Sequence, residues 1–135
     1  MAGEPHFHVL TPTDKSHYVA KFNAMEDEPV VNLVSNAKAW DWLVANAPLW
    51  DCPAMRFEEI YYYRWWTYRK HIKQTPEGRV LTEFIQPVSH AGRYNTIACA
   101  FGLHVAEGRW LRDQALLDEY ARFWFCAGPG GGSVD

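Results

Sequence analysis

The chain has 135 residues, 48% of them hydrophobic and 21% charged, with a formal net charge of -3. This is the composition of a globular chain one domain long, and the acidic balance lacks the basic footprint of a nucleic-acid binder. No apolar run reaches membrane-spanning length, so neither nucleic acid nor membrane is an expected partner.

Residues 1–30 read as an irregular lead-in. Pro5, Pro12 and Pro29 punctuate it, and Glu26-Asp27-Glu28 forms a short acidic cluster. His6 and His8 alternate with Phe7 and Val9, which suits a short extended segment with outward histidines better than a metal site, because a metal needs more converging ligands. The opening residues show no basic and then apolar leader pattern, and the compartment stays open. Cys52, Cys99 and Cys126 are odd in number and widely spaced, without metal-binding spacing, and are expected to be buried free thiols. Neither metal nor cofactor is expected.

Residues 31–126 are expected to form a mainly α domain of two antiparallel helical hairpins with a short extended segment between them. The first helix is expected over 31–47. Ser35 or Asn36 would cap its main part, Ala37, Trp40, Leu43, Val44 and Ala47 form its apolar stripe, and Pro48 ends it. Asp51 is a candidate N-cap for the next helix, with Glu58 and Glu59 near its start, as the helix dipole prefers. That helix lies in the stretch 56–73, where seven of the twelve residues from 57 to 68 are aromatic. Phe57, Ile60, Tyr61, Trp65, Tyr68 and Ile72 recur at helical spacing, while Tyr62, Tyr63 and Trp66 fall outside that stripe. Arg64 and Arg69 sit among the rings. Such a helix is either buried on most sides or turns a second aromatic face to a flat, polar ligand such as a sugar.

Thr75-Pro76-Glu77-Gly78 is a turn signal. Residues 79–85 read as a short strand or extended segment, and 86–94 as a functional loop that carries His90, Arg93 and, at its end, Asn95. A third helix is expected over 95–107, closed by Gly108 as a C-terminal glycine. A fourth is capped by Asp113 and carries Leu116, Leu117, Tyr120, Phe123 and Trp124. Residues 127–135 read as a flexible glycine-rich tail. Glu83 could end a strand and face a cleft. Glu107, at a helix C-terminus, wants a compensating partner, for which Arg109 and Arg112 are the candidates. His71, His90 and His104 show no recognisable ligand spacing.

The runs Glu58-Glu59-Ile60-Tyr61-Tyr62-Tyr63-Arg64-Trp65-Trp66-Thr67-Tyr68-Arg69-Lys70-His71-Ile72, Thr82-Glu83-Phe84 and Gly92-Arg93-Tyr94-Asn95-Thr96-Ile97, then His104 and Glu107-Gly108-Arg109-Trp110-Leu111, together resemble the opening of a catalytic domain in the (α/α)6-toroid glycoside hydrolases. The group is that of mannosylglycerate hydrolases, trehalases and processing glucosidases, and the likeness runs over residues 20–126. It implies an inner helix whose rings flank a sugar subsite. Tyr63, Arg64, Trp65, Trp66, Arg69, Glu83, His90, Asn95, Glu107, Arg109 and Trp110 would then contact carbohydrate, and Glu83 and Glu107 are the catalytic candidates. A toroid has about six hairpins and glycoside hydrolysis needs two flanking carboxylates; this chain supplies two hairpins. It is therefore expected to be a fragment, inactive alone, whose further partner is the rest of the barrel or another copy of itself. The alternative is a stand-alone helical interaction module whose aromatics form its core.

Overall fold

The computed structural model describes residues 9–127; the expected histidine-bearing segment at His6 and His8, and the glycine-rich tail beyond Ala127, lie outside the described residues. The fold is mainly α, with five helices and one two-stranded sheet among the described residues. The first helix, α1 (Pro12–Asn23), falls in the expected lead-in, so that reading is corrected. Its start is encoded locally. The Thr11 N–H donates to Asp14 Oδ2 at 2.6 Å and Pro12 occupies the first turn, where a missing N–H costs nothing.

The expected helix over 31–47 is shorter than its pattern. Its α-helical part is α2 (Ala39–Asn46), preceded by a 3-10 turn, Asn36–Lys38. Residues ahead of that turn find other partners. Glu28 accepts the Asn36 N–H at 2.8 Å, and Asn32 donates to the Lys70 carbonyl at 2.9 Å. Asp51 does not cap α3 (Met55–Lys70); it pairs with Lys15 at 2.6 Å.

Helix α3 is the centre of the core, and α1 and α2 both pack on it. Tyr18 stacks on Tyr62 with centroids 5.2 Å apart, and Phe22 meets Trp66 at 5.8 Å. The buried residues of α3 are Glu58, Tyr62, Trp65, Trp66, Tyr68 and Arg69, so Trp65 and Tyr68 of the expected stripe are inside, as is Ile72 just beyond the helix, while the buried face widens to take in Tyr62, Trp66 and Arg69. Phe57 and Ile60 are exposed, at 64% and 47%. Hydrophobicity alone placed them inside, but residues competing for the core satisfy most of their polar ends there. The Tyr62 hydroxyl bonds the Trp50 backbone, and Trp66 Nε1 donates to Asn23 at 2.8 Å.

Helix α3 ends at Lys70, earlier than the turn signal suggests, because His71 leads directly into β1 (Ile72–Thr75). This strand pairs antiparallel with β2 (Gly78–Leu81), Ile72 facing Leu81 and Thr75 facing Gly78. Thr75-Pro76-Glu77-Gly78 is therefore the hairpin turn, and Gly78 takes φ 115°, a conformation that favours glycine. Helix α4 (Phe101–Gly108) follows a 3-10 turn, Ala98–Ala100, rather than beginning at 95.

Helix α5 (Ala115–Arg122) packs on β2 and passes into a π-helical turn, Phe123–Ala127. Leu116, Leu117, Tyr120 and Phe123 are buried, as the expected stripe requires. Asp113 accepts the backbone N–H groups of Ala115 and Leu116 and also pairs with Arg79, so it combines capping with an ion pair. The thiols are free, but Cys52 is half-buried and Cys99 and Cys126 are exposed, so burial is not what keeps them apart.

Candidate functional site

Helix α3 turns two different sides outward. On one, Arg64, Thr67, Tyr68 and His71 follow one another at steps of three and four, so one polar face runs down the C-terminal half of the helix. With Tyr63, Glu83, His104 and Glu107 they line an open polar cleft of about 370 Å³. That volume falls within the range of small-molecule sites.

Two separate segments supply the opposing wall. Glu83 lies two residues beyond the end of β2, where its backbone N–H donates to the Asn95 carbonyl at 2.9 Å. His104 and Glu107 come from α4. Glu107 takes a bidentate pair of bonds from Arg64, Nε to Oε1 at 2.9 Å and Nη2 to Oε2 at 2.6 Å. The compensating cation of this carboxylate is thus Arg64 and not Arg109 or Arg112. Arg109 stacks over Trp110 at 5.1 Å, while Arg112 donates to the Val44 carbonyl at 2.7 Å. The bonds to Glu107 hold the Arg64 guanidinium above its ordinary pKa.

Burial pushes both histidines below the ordinary imidazole value of 6.5, so both are neutral near pH 7. His71 Nδ1 lies 2.8 Å from the Thr82 carbonyl. A carbonyl only accepts, so Nδ1 carries the proton and the Nε2 lone pair is left free. His104 Nδ1 is 3.2 Å from the Tyr120 hydroxyl, and its Nε2 faces Glu83 Oε2 at 3.8 Å. The Tyr68 hydroxyl donates to the His104 carbonyl at 3.0 Å, and burial raises its phenol well above the usual range. Two carboxylates, two neutral imidazoles, phenols and one guanidinium therefore meet at an open surface, the mixture that hydrogen-bonds a polyhydroxylated ligand.

The expected site residues divide in three. Tyr63, Arg64, Glu83 and Glu107 come together in the cleft. Trp65, Trp66 and Arg69 do not. The two indoles are each 4% exposed and Arg69 is fully buried, so the expected open groove of rings and guanidinium groups is corrected to a closed core. Arg69 donates to the Val34 carbonyl at 2.6 Å and bonds Asn36, which fastens the segment ahead of α2 onto α3.

Asn95 is also buried. Its amide nitrogen donates to the carbonyls of Phe84 and Gln86, and its side-chain oxygen accepts the Val88 N–H at 3.2 Å. It folds the loop after Glu83, in the left-handed region at φ 65° that asparagine tolerates better than most residues. His90 lies apart from the cleft, edge-on to Phe84 at 5.3 Å. Trp110 is exposed beside a separate apolar hollow with Pro48, Tyr61 and Trp65.

The sequence reading missed Thr67, Tyr68, His71 and His104 as members of one cleft. The signal for the first three was there: they share the helical spacing of Arg64. Among the described residues no group of three or more His, Cys, Asp or Glu could hold a metal ion, and no helix is long and apolar enough to cross a membrane.

The class thus defined is a mainly helical chain with a polar, carboxylate-bearing cleft between its central helix and the segments after β2. Among solved structures, one titled "Sialidase" is similar to this chain with a TM-score of 0.84 and 51% sequence identity. The similarity covers 90% of this chain and 11% of that one, so the chain spans about a ninth of the length of the protein it matches. No family model matches the sequence, and no curated protein matches it.

Proposed function

We propose that the chain is a segment of a carbohydrate-active glycoside hydrolase that contributes a sugar-binding surface and does not hydrolyse glycosides alone. The observation that carries this reading is 51% identity over 90% of the chain to a structure titled "Sialidase". The cleft between Arg64 and Glu83 is the surface that would bind sugar. Its Tyr63 ring offers a stacking face, and its carboxylates and imidazoles offer partners for hydroxyls. In this reading the helices form part of an (α/α)6 toroid, and the catalytic carboxylate pair is completed by other parts of the larger chain.

Backbone amide shifts followed during titration with lactose and sialyllactose test the assignment. Shifts concentrated on residues 63–71, 83 and 104–107 are expected. Titrations that move no amide of this set would remove the sugar-binding assignment. Aryl glycosides incubated with the chain should release no aglycone. Release abolished by Glu83→Gln or Glu107→Gln would show that the segment carries catalysis itself.

A second reading, an interaction module, has its own observation. Met25, Met55, Phe57 and Ile60 are large exposed apolar residues, and Phe22, Met25, Ile60 and Tyr63 help to line an open hollow of about 370 Å³. Contiguous apolar surface of this kind marks an interface. Because the chain spans 11% of the structure it resembles, the occupant this reading commits to is another part of that larger chain. Without it, the isolated chain is expected to self-associate as its concentration rises. Light scattering after gel filtration should show dimers or larger species that Phe57→Ser with Ile60→Ser returns to monomer. A wild-type chain that stays monomeric throughout would count against an interface on this face.

A further inference from the structure

The hydrogen-bonding inventory of the cleft is lopsided. Of its lining residues only Arg64 carries a fixed positive charge, and that guanidinium is already committed to both oxygens of Glu107. The Glu83 carboxylate accepts no hydrogen bond among the described residues; its nearest charge partner is His104 Nε2, 3.8 Å away. With both imidazoles neutral, two carboxylates face one guanidinium, and the cleft is left net negative.

The remaining polar atoms also lean one way. The Thr67 hydroxyl donates to the Arg64 carbonyl at 2.8 Å, and the Tyr68 hydroxyl donates to the His104 carbonyl at 3.0 Å, so the oxygens of both are left to accept. His71, bonded through Nδ1 to Thr82, keeps a free lone pair on Nε2. What the cleft lacks is donors from a ligand, and what Glu83 lacks is a cation.

We infer that the cleft selects a cationic, donor-rich sugar, an amino sugar whose ammonium group pairs with Glu83 while its hydroxyls donate to the surrounding acceptors. The inference rests on the sugar-binding reading above and narrows it. A ligand ammonium would form a charge-assisted bond with a half-buried carboxylate whose nearest partner is an imidazole 3.8 Å away. An acidic sugar would bring its carboxylate against Glu83, and the one cation it would meet, Arg64, is already neutralised by Glu107.

The test is an amide-shift titration at pH 7 with glucosamine, glucose and N-acetylneuraminic acid in parallel. Glucosamine is expected to bind about tenfold more tightly than glucose, and N-acetylneuraminic acid more weakly than either. Glu83→Gln should abolish the preference for glucosamine over glucose. Added sodium chloride should shrink the same preference in the wild-type chain, a readout that needs no variant.

Glucose binding as tightly as glucosamine, tighter binding of the acidic sugar, or a preference that survives both Glu83→Gln and salt would overturn the inference and leave sugar binding intact. If none of the three sugars moves the cleft amides, the sugar reading fails and this inference falls with it.

Discussion

Replacing Glu58 by alanine is expected to cost about 3 kcal/mol of stability and to lower the melting temperature by roughly 10 °C. Glu58 sits in the first turn of α3, is 4% exposed, and joins three parts of the chain. Lys15 of α1 donates to both its oxygens at 2.9 Å, the Tyr18 hydroxyl donates at 2.9 Å, and the Cys52 N–H donates at 2.8 Å. Removing the carboxylate strands these donors together. Lys15 keeps only Asp51, whose side chain is 63% exposed and correspondingly screened.

The same cluster fixes the sign of a pH effect. Burial pushes the Glu58 carboxyl up, but the bonds from Lys15, Cys52 and Tyr18 outweigh burial and hold it below its ordinary value of 4.5. A carboxyl depressed in the folded state stabilises the fold above its unfolded pKa and loses that contribution as pH falls through the lower, folded value. The wild-type melting temperature should therefore fall as pH drops below about 4.5. Glu58→Gln, which cannot titrate, should start lower at neutral pH and fall less steeply through the same window. Thermal melts between neutral and acid pH on the two chains measure both effects. Parallel curves would show that Glu58 is not one of the groups behind acid unfolding.

The second large effect is expected at Gly108. At most exposed helical positions, glycine to alanine stabilises by up to about 1 kcal/mol. Here the sign reverses, because an added Cβ would overlap the Tyr68 hydroxyl and stand 2.9 Å from Leu117 Cδ2. Tyr68 is 4% exposed and tied to the His104 carbonyl, so it cannot swing aside. A net loss of about 2 kcal/mol is expected for Gly108→Ala, read as a lower urea midpoint.

Tyr68→Phe should partly relieve the clash, making the double variant more stable than the sum of the single losses predicts. Because Tyr68 and His104 both line the cleft, Gly108→Ala should also weaken any sugar-induced amide shifts. Equal midpoints for wild type and Gly108→Ala would mean that α4 can slide on α3, contrary to the packing described. Gly108 was expected to close α4 as a C-terminal glycine; it is instead the last helical residue, and close approach of α3 and α5 explains it.

Much of the organisation was legible from local pattern. The helical character, the turn at Thr75-Pro76-Glu77-Gly78, the buried stripe of α5 and the place of Glu83 just after a strand follow from periodicity and turn chemistry, which act over a few residues. Other features were locally encoded but overlooked. Thr11-Pro12 with Asp14 is a helix start, and Arg64, Thr67, Tyr68 and His71 repeat at helical spacing along a single polar face.

The residue types of the chain determine by themselves that helices form, where they turn, and that rings and charges crowd one helix. Only the tertiary structure decided which side of that helix faces inward. Tyrosine, tryptophan and arginine carry apolar bodies with polar ends, so either side could be buried once its polar atoms found partners. Those partners come from distant segments: Asn23 for Trp66, Val34 and Asn36 for Arg69, and Glu107 for Arg64. Long-range hydrogen bonds thus hold Trp66 and Arg69 in the core, while Trp65 is buried as the apolar stripe predicts, and Arg64, Glu83 and the two histidines are left around an open cleft.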